Sequence, residues 1–261
     1  MLVKISGVAL AALMIAAPGF AHAQQVEQSI AHGQINWTDK TITVTGSGAP
    51  SLKAPNVAVA RLNAERAAKM DALRNVVEAV KGVKVSGNRS AGDAMKLGTV
   101  QTKVEGIVRG FTVLDTKYYS DGGVDVIVQV NIDGVLTEAL LPDAGNAVKK
   151  APIKDVTGVV VNAKGINVTP AIAPEILDEG GNRLYHPGAV DREAMKDHGA
   201  VSYNKSMDKA LKDSRVGSKP LVIRAVKSKD GSNLVISTSD GAKLASAGGA
   251  MAMGKVIIVT D

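Results

Sequence analysis

Val124-Asp-Val-Ile-Val-Gln-Val-Asn-Ile132 alternates with a period of two. Val124, Val126, Val128, Val130 and Ile132 fall on one side of an extended chain, while Asp125, Gln129 and Asn131 fall on the other. Such a strand has one face to bury and one to leave in water, the pattern of an antiparallel sheet covered on a single side. Residues 107–119 read as its partner, and Ser120-Asp-Gly-Gly123 between them reads as a hairpin turn.

The element that covers this sheet lies upstream. Residues 57–81 are Ala-rich and free of Gly and Pro until Gly82, so they predict one long helix. At helical spacing Val59, Leu62, Met70, Leu73, Val76, Val77 and Val80 share a side and form the expected buried face. Arg66 projects from that face. It is expected to snorkel or to pair structurally with Glu105 or Asp125, the alternative being an arginine held for an anionic ligand. Thr41-Ile-Thr-Val-Thr45 reads as a strand that ends in a turn at Gly46-Ser-Gly48, residues 83–94 as irregular, and residues 24–32 as a loose leader.

Residues 142–152 combine Gly, Asn, Asp, two Lys and two Pro and predict a linker. Beyond it, residues 156–161 and 166–172 are strand-like, and residues 178–182 form a Gly-rich turn. Helices are expected at 191–198, 206–211 and 240–247, and a hairpin pairs 221–226 with 234–238. The closing strand, 255–260, carries Val256-Ile-Ile-Val259, apolar on both faces as a central strand would be. The expectation is an α+β protein of two small domains, each a mostly antiparallel sheet packed by helices, after a cleaved signal peptide. Its boundaries are residues 1–23 for the signal, 24–40 for the leader, 41–141 for the first domain, 142–152 for the linker and 153–261 for the second domain.

Lys4, an apolar stretch from Val8 to Ala17 and Ala21-His-Ala23 before Gln24 have the layout of a secretory signal peptide, and the apolar run is too short to serve as a transmembrane anchor. The expected location is the periplasm, in association with the outer membrane, ahead of secretion to the medium. The chain has no cysteine, which excludes disulfides, thiolate catalysis and thiolate metal sites. Aromatic content is only 3% at a formal net charge of +6, and no nucleic-acid recognition motif is present, so nucleic acid is not an expected partner.

Positive charge concentrates between residues 205 and 229. Lys205, Lys209, Lys212, Arg215 and Lys219 form a candidate surface for an anionic envelope polymer, set against the plainer reading of a solvated face. His186 and His198 lie near Asp191, Glu193 and Asp197, yet His186 precedes Pro187-Gly188 in a turn and His198 precedes Gly199 at a helix end. Surface or capping roles fit that spacing better than a metal or an acid–base pair. No nucleophile elbow, phosphate loop or dinucleotide fingerprint occurs, so neither enzyme activity nor a cofactor is expected.

Ile42-Thr-Val-Thr-Gly46, the segment Ala60-Arg-Leu-Asn-Ala-Glu-Arg-Ala-Ala-Lys-Met-Asp-Ala-Leu73, Val108-Arg-Gly-Phe111 and Val124-Asp-Val-Ile-Val-Gln-Val130 together resemble the surface lipoprotein family of Gram-negative bacteria that includes flagellar assembly lipoprotein P. More distantly they resemble the N-terminal part of flagellar assembly protein T. Thr157-Gly-Val-Val-Val-Asn-Ala-Lys-Gly165, Pro174-Glu-Ile-Leu-Asp178 and Pro220-Leu-Val-Ile-Arg224 resemble the companion region of such envelope proteins. The resemblance implies a non-catalytic envelope component that self-associates or docks on an envelope or flagellar assembly protein. One departure matters: the lipoproteins carry a cysteine at the cleavage site where this chain has Gln24. The alternative reading is a periplasmic ligand-binding protein or hydrolase acting on an anionic envelope substrate. If the closing strand is core, deleting residues 256–261 abolishes cooperative thermal unfolding of the second unit, a loss that circular dichroism reads directly.

Overall fold

The computed structural model describes residues 25–132, 134–141 and 155–261. Residues 1–23 and 142–152, expected as signal peptide and linker, lie outside them. The first half runs β1 (Glu27–Ile30), β2 (Gly33–Asn36), β3 (Thr41–Gly48), α1 (Val57–Gly82), β4 (Lys84–Ser86), β5 (Arg89–Ser90), α2 (Ala91–Met95), α3 (Gly98–Val108), β6 (Thr112–Tyr118), β7 (Val124–Asn131) and α4 (Val135–Leu140). Five strands form an antiparallel sheet in the order β1-β2-β3-β7-β6. The valines of β7 at 124, 126, 128 and 130 are buried beneath α1, as their alternation predicts.

Two expectations for β3 and α1 fail together, for one physical reason. Gly46 and Gly48 do not end the strand; they extend it, paired with Val126 and Val124 of β7. They face α1 so closely that a Cβ at Gly46 would overlap the backbone of Ala68 and Ala72, and one at Gly48 would lie 2.7 Å from the Ala68 nitrogen. The buried stripe of α1 is therefore Ala64, Ala68, Ala72, Val76, Ala79 and Val80, because only small side chains fit where helix and strand backbones nearly touch. The predicted Leu62 and Met70 face solvent instead. β2 stops opposite Val44, and the bared edge of β3 beyond it is satisfied from the helix. Asp71 accepts from the Ser47 N–H at 3.1 Å, and Asn75 donates to the Thr45 carbonyl at 2.9 Å.

Further differences follow from tertiary packing. The leader contains the hairpin β1–β2, which ends on buried Trp37. Residues 107 and 108, expected in a strand, complete α3, whose Val100, Val104 and Val108 recur every fourth residue. The irregular 83–94 stretch holds the β4–β5 hairpin and α2, the latter opened by a capping box between Ser90 and Asp93.

The second half runs β8 (Gly158–Asn162), β9 (Ile176–Asp178), β10 (Arg183–Tyr185), α5 (Arg192–His198), β11 (Ser202–Asn204), α6 (Met207–Lys212), β12 (Pro220–Lys229), β13 (Asn233–Ile236), α7 (Thr238–Leu244), α8 (Gly248–Ala252) and β14 (Val256–Val259). Its seven strands are ordered β10-β9-β13-β12-β8-β14-β11. The α+β architecture stands, but this sheet is mixed. Only the hairpins β9–β10 and β12–β13 are antiparallel, while β9–β13, β12–β8, β8–β14 and β14–β11 are parallel. Parallel strands need crossovers, and the one carrying α6 runs from β11 past β14 and β8 to β12. As expected, β14 is central and buried on both faces. Ile257 and Val259 meet α6 through Ala210, and Val256 and Ile258 meet the main core.

Residues 166–172 form no strand. Ile172 and Ala173 donate instead to the Lys84 and Val85 carbonyls of β4, both at 2.9 Å. The halves thus share one hydrophobic core, joined also by an edge-on contact between Trp37 and Tyr203 with ring centres 5.8 Å apart. At the seam the buried Asn233 Oδ1 accepts from Gly87 N at 3.2 Å and Glu175 N at 2.9 Å.

Gly46→Ala is expected to destabilise the protein by about 1–3 kcal/mol or more through overpacking. Gly98→Ala, at a helical position with nothing within 4 Å of the added carbon, is expected to leave it unchanged or slightly stabilised. Urea denaturation midpoints separate the two.

Candidate functional site

The residues singled out from sequence do not form one surface. Lys209, Lys212 and Lys219 are exposed and Lys205 is half-buried, but Arg215 is withdrawn from the candidate anionic face. Its guanidinium donates to the carbonyls of His198 at 2.6 Å and Gly199 at 2.8 Å, and also to that of Gly254. Burial lowers its pKa from the ordinary value, and its Nε has no hydrogen-bond partner. Lys40 Nζ, from the first half, reaches the same His198 carbonyl. Two cations therefore close the C-terminus of α5, where the helix leaves carbonyls without partners. Arg66 is in water, as a snorkelling side chain is, and among the described residues neither carboxylate named as its partner is bonded to it. Glu105 accepts from Gln101, and Asp125 accepts from Ser47 and Tyr119.

His186, Asp191 and His198 are not brought together. Asp191 caps α5 by accepting from Ala194 N, His198 ends that helix, and His186 lines a separate groove. Among the described residues, no group of three His, Cys, Asp or Glu side chains is placed to hold a metal ion.

What the fold does present is an open sheet edge. Among the described residues β6 pairs only with β7, leaving its outer row of backbone groups without a strand partner. Val113, Leu114, Tyr118 and Tyr119 along it are between 42% and 52% exposed. A bulge between Val113 and Asp115 interrupts the register and leaves Leu114 outside the pairing. The far end of the strand is fixed. Tyr118 donates to Glu65 at 3.0 Å beneath the Arg61 guanidinium, 5.6 Å from the ring centre, and Tyr119 donates to Asp125 at 2.7 Å. Hydrogen bonds from Lys69 and Tyr118 hold the Glu65 carboxyl below the usual range, those from Ser47 and Tyr119 do the same for Asp125, and both tyrosine hydroxyls are raised in turn. The edge is thus amphipathic, with its far end tied to α1 and β7.

Several crevices open where the halves meet, among them two of several hundred Å³ away from the Glu138–Arg192 ion pair. One, of about 630 Å³, lies at the carboxyl ends of β8 and β14. It includes Gln28, Asn167, Thr169 and Asp261, whose carboxylate accepts from Gly165 N at 2.9 Å. The other, of about 400 Å³, sets Arg89, Arg183 and His186 over Leu97, Val100 and Leu140. Sequence reading missed this second group because its members come from both halves, and no spacing connects them.

These features define an α+β protein whose presented chemistry is an open strand edge and inter-half crevices. Residues 158–161 begin the matched region: the chain over residues 158–261 matches the family described as Treponema pallidum Tp0624, second domain. The match coincides with the whole mixed sheet from β8 to β14. Among curated proteins, none matches this chain in sequence. Among the described residues, no helix is long and apolar enough to cross a membrane.

Arg215→Ala strips three carbonyls of a charged donor and is expected to cost about 2–4 kcal/mol of stability. Replacing Lys209, Lys212 and Lys219 together by Gln is expected to change stability by less than about 1 kcal/mol. Thermal unfolding of both variants distinguishes the buried clamp from the solvated face.

Proposed function

We propose that this chain is a non-catalytic, exported component of the bacterial cell envelope that assembles with further copies of itself through β6. The observation that carries this reading is the exposure of Val113, Leu114 and Tyr118 on β6, a strand with one side unpaired among the described residues, and of Tyr119 just beyond it. A strand edge of this kind can pair with another strand, and of the devices that keep such edges single, namely charge, proline, a bulge or a cover, β6 has the bulge at Leu114 and two charged residues. Here the sole charges within the strand are Asp115 and Lys117. Export rests on the signal-peptide layout of residues 1–23. The periplasm, with docking at the outer membrane, is the setting that follows from it.

The resemblance of residues 41–141 to the family of flagellar assembly lipoprotein P supports the same reading, and a flagellar partner rests on that resemblance alone. The scatter of His186, Asp191 and His198 speaks against the hydrolase alternative. An anionic envelope polymer is left with Lys205, Lys209, Lys212 and Lys219 as its contacts, without Arg215.

Size-exclusion chromatography with light scattering on residues 24–261 tests the assembly. A discrete oligomer that Leu114→Lys converts to monomer, with the circular dichroism spectrum unchanged, supports pairing through β6. A monomer at all working concentrations overturns it, as does an oligomer indifferent to a lysine at position 114.

A further inference from the structure

The roughly 400 Å³ groove at the seam has two features that the fold itself leaves unused. Its floor is aliphatic. Val100 and Leu140 are buried, and Leu97, the residue before α3, is 60% exposed and makes no capping hydrogen bond. An isolated exposed leucine is ordinary; one that continues a buried apolar floor into an open groove provides surface for an apolar ligand. Its rim is cationic. The Arg89 side chain forms no hydrogen bond or ion pair among the described residues, and Arg183 reaches Glu175 at 3.4 Å while remaining 61% exposed. With His186 beside them, two guanidinium groups face a single carboxylate.

The rim is also fixed in place. Arg89 stands on the β4–β5 hairpin and Glu175 precedes β9. Asn233 ties the β4–β5 turn to the residue before β9 through Gly87 N and Glu175 N, and β10, which carries Arg183, pairs with β9. No Phe, Tyr or Trp lines the groove, which removes the stacking surface that bases and sugar rings use. An aliphatic tail with a small planar anion matches the rest. The tail removes Leu97 and the half-buried Leu141 from water, and the carboxylate takes paired N–H donors from an arginine fork.

We propose that the groove floored by Leu97, Val100 and Leu140 and rimmed by Arg89, Arg183 and His186 binds an acyl-chain carboxylate. The site is independent of β6, so its test and that of self-assembly succeed or fail separately. Isothermal titration calorimetry with dodecanoate, below its micelle-forming concentration, is compared with dodecanol and with acetate. Dodecanoate is expected to bind saturably and about tenfold or more tighter than dodecanol, with acetate alone too weak to detect. The double variant Arg89→Gln, Arg183→Gln is expected to lose about tenfold or more in dodecanoate affinity and little in dodecanol affinity. Leu97→Asp weakens both, and circular dichroism checks that each variant is folded. The proposal is overturned by no saturable dodecanoate binding, by equal affinity for dodecanol, or by dodecanoate binding that the folded double variant retains in full.

Discussion

The close approach of α1 to β3 is the constraint on which the first half depends. Gly46 and Gly48 remove side chains from the strand just where Ala64, Ala68 and Ala72 present the smallest face of the helix. That proximity lets Asp71 and Asn75 reach the strand backbone and satisfy the edge of β3 that β2 leaves bare. It also sets the depth at which the β7 valines pack. A helix resting on leucines would stand farther off, and those polar bonds would be out of reach. The helix is consequently dressed in reverse of the usual order, with alanines inside and Leu62 and Met70 outside.

The two halves are bound at the level of the core. Residues 171–173 run against β4 in place of joining a strand of their own sheet, Trp37 abuts Tyr203, and Lys40 and Arg215 converge on the end of α5. The hydroxyl of Tyr203 both donates to and accepts from Ala171, and Tyr185 donates to the Ala200 carbonyl at 2.6 Å. Burial raises the pKa of both phenols, which keeps them neutral donors in an otherwise apolar interior. A seam so built forms fixed walls for the crevices that open along it.

How much of this could be read beforehand divides along the range of the interactions. The alternation of β7, the length of α1, the turn at residues 120–123 and the terminal strand were legible because each is a local pattern of apolar spacing and turn residues. α3 was legible in principle through Val100, Val104 and Val108, but Gly98 and Gly106 obscured it. The candidate sites fared less well. Arg215 read as part of a basic surface because its neighbours in sequence are lysines, whereas its contacts, His198, Gly199 and Gly254, are distant in sequence. The group of Arg89, Arg183 and His186 left no trace in spacing at all.

By itself the sequence determined the α+β class, one covered face on the first sheet, a doubly buried final strand and a protein without thiol chemistry. These follow from periodicity and composition, which act residue by residue. Tertiary structure alone decided that Gly46 and Gly48 continue a strand, that alanines form the inner stripe of α1, and that most pairings of the second sheet are parallel. It also decided which cations are spent on backbone carbonyls and which remain on an open rim. The reason is common to all four: each turns on how near two segments distant in the chain are brought, and that distance is fixed by packing the whole core at once.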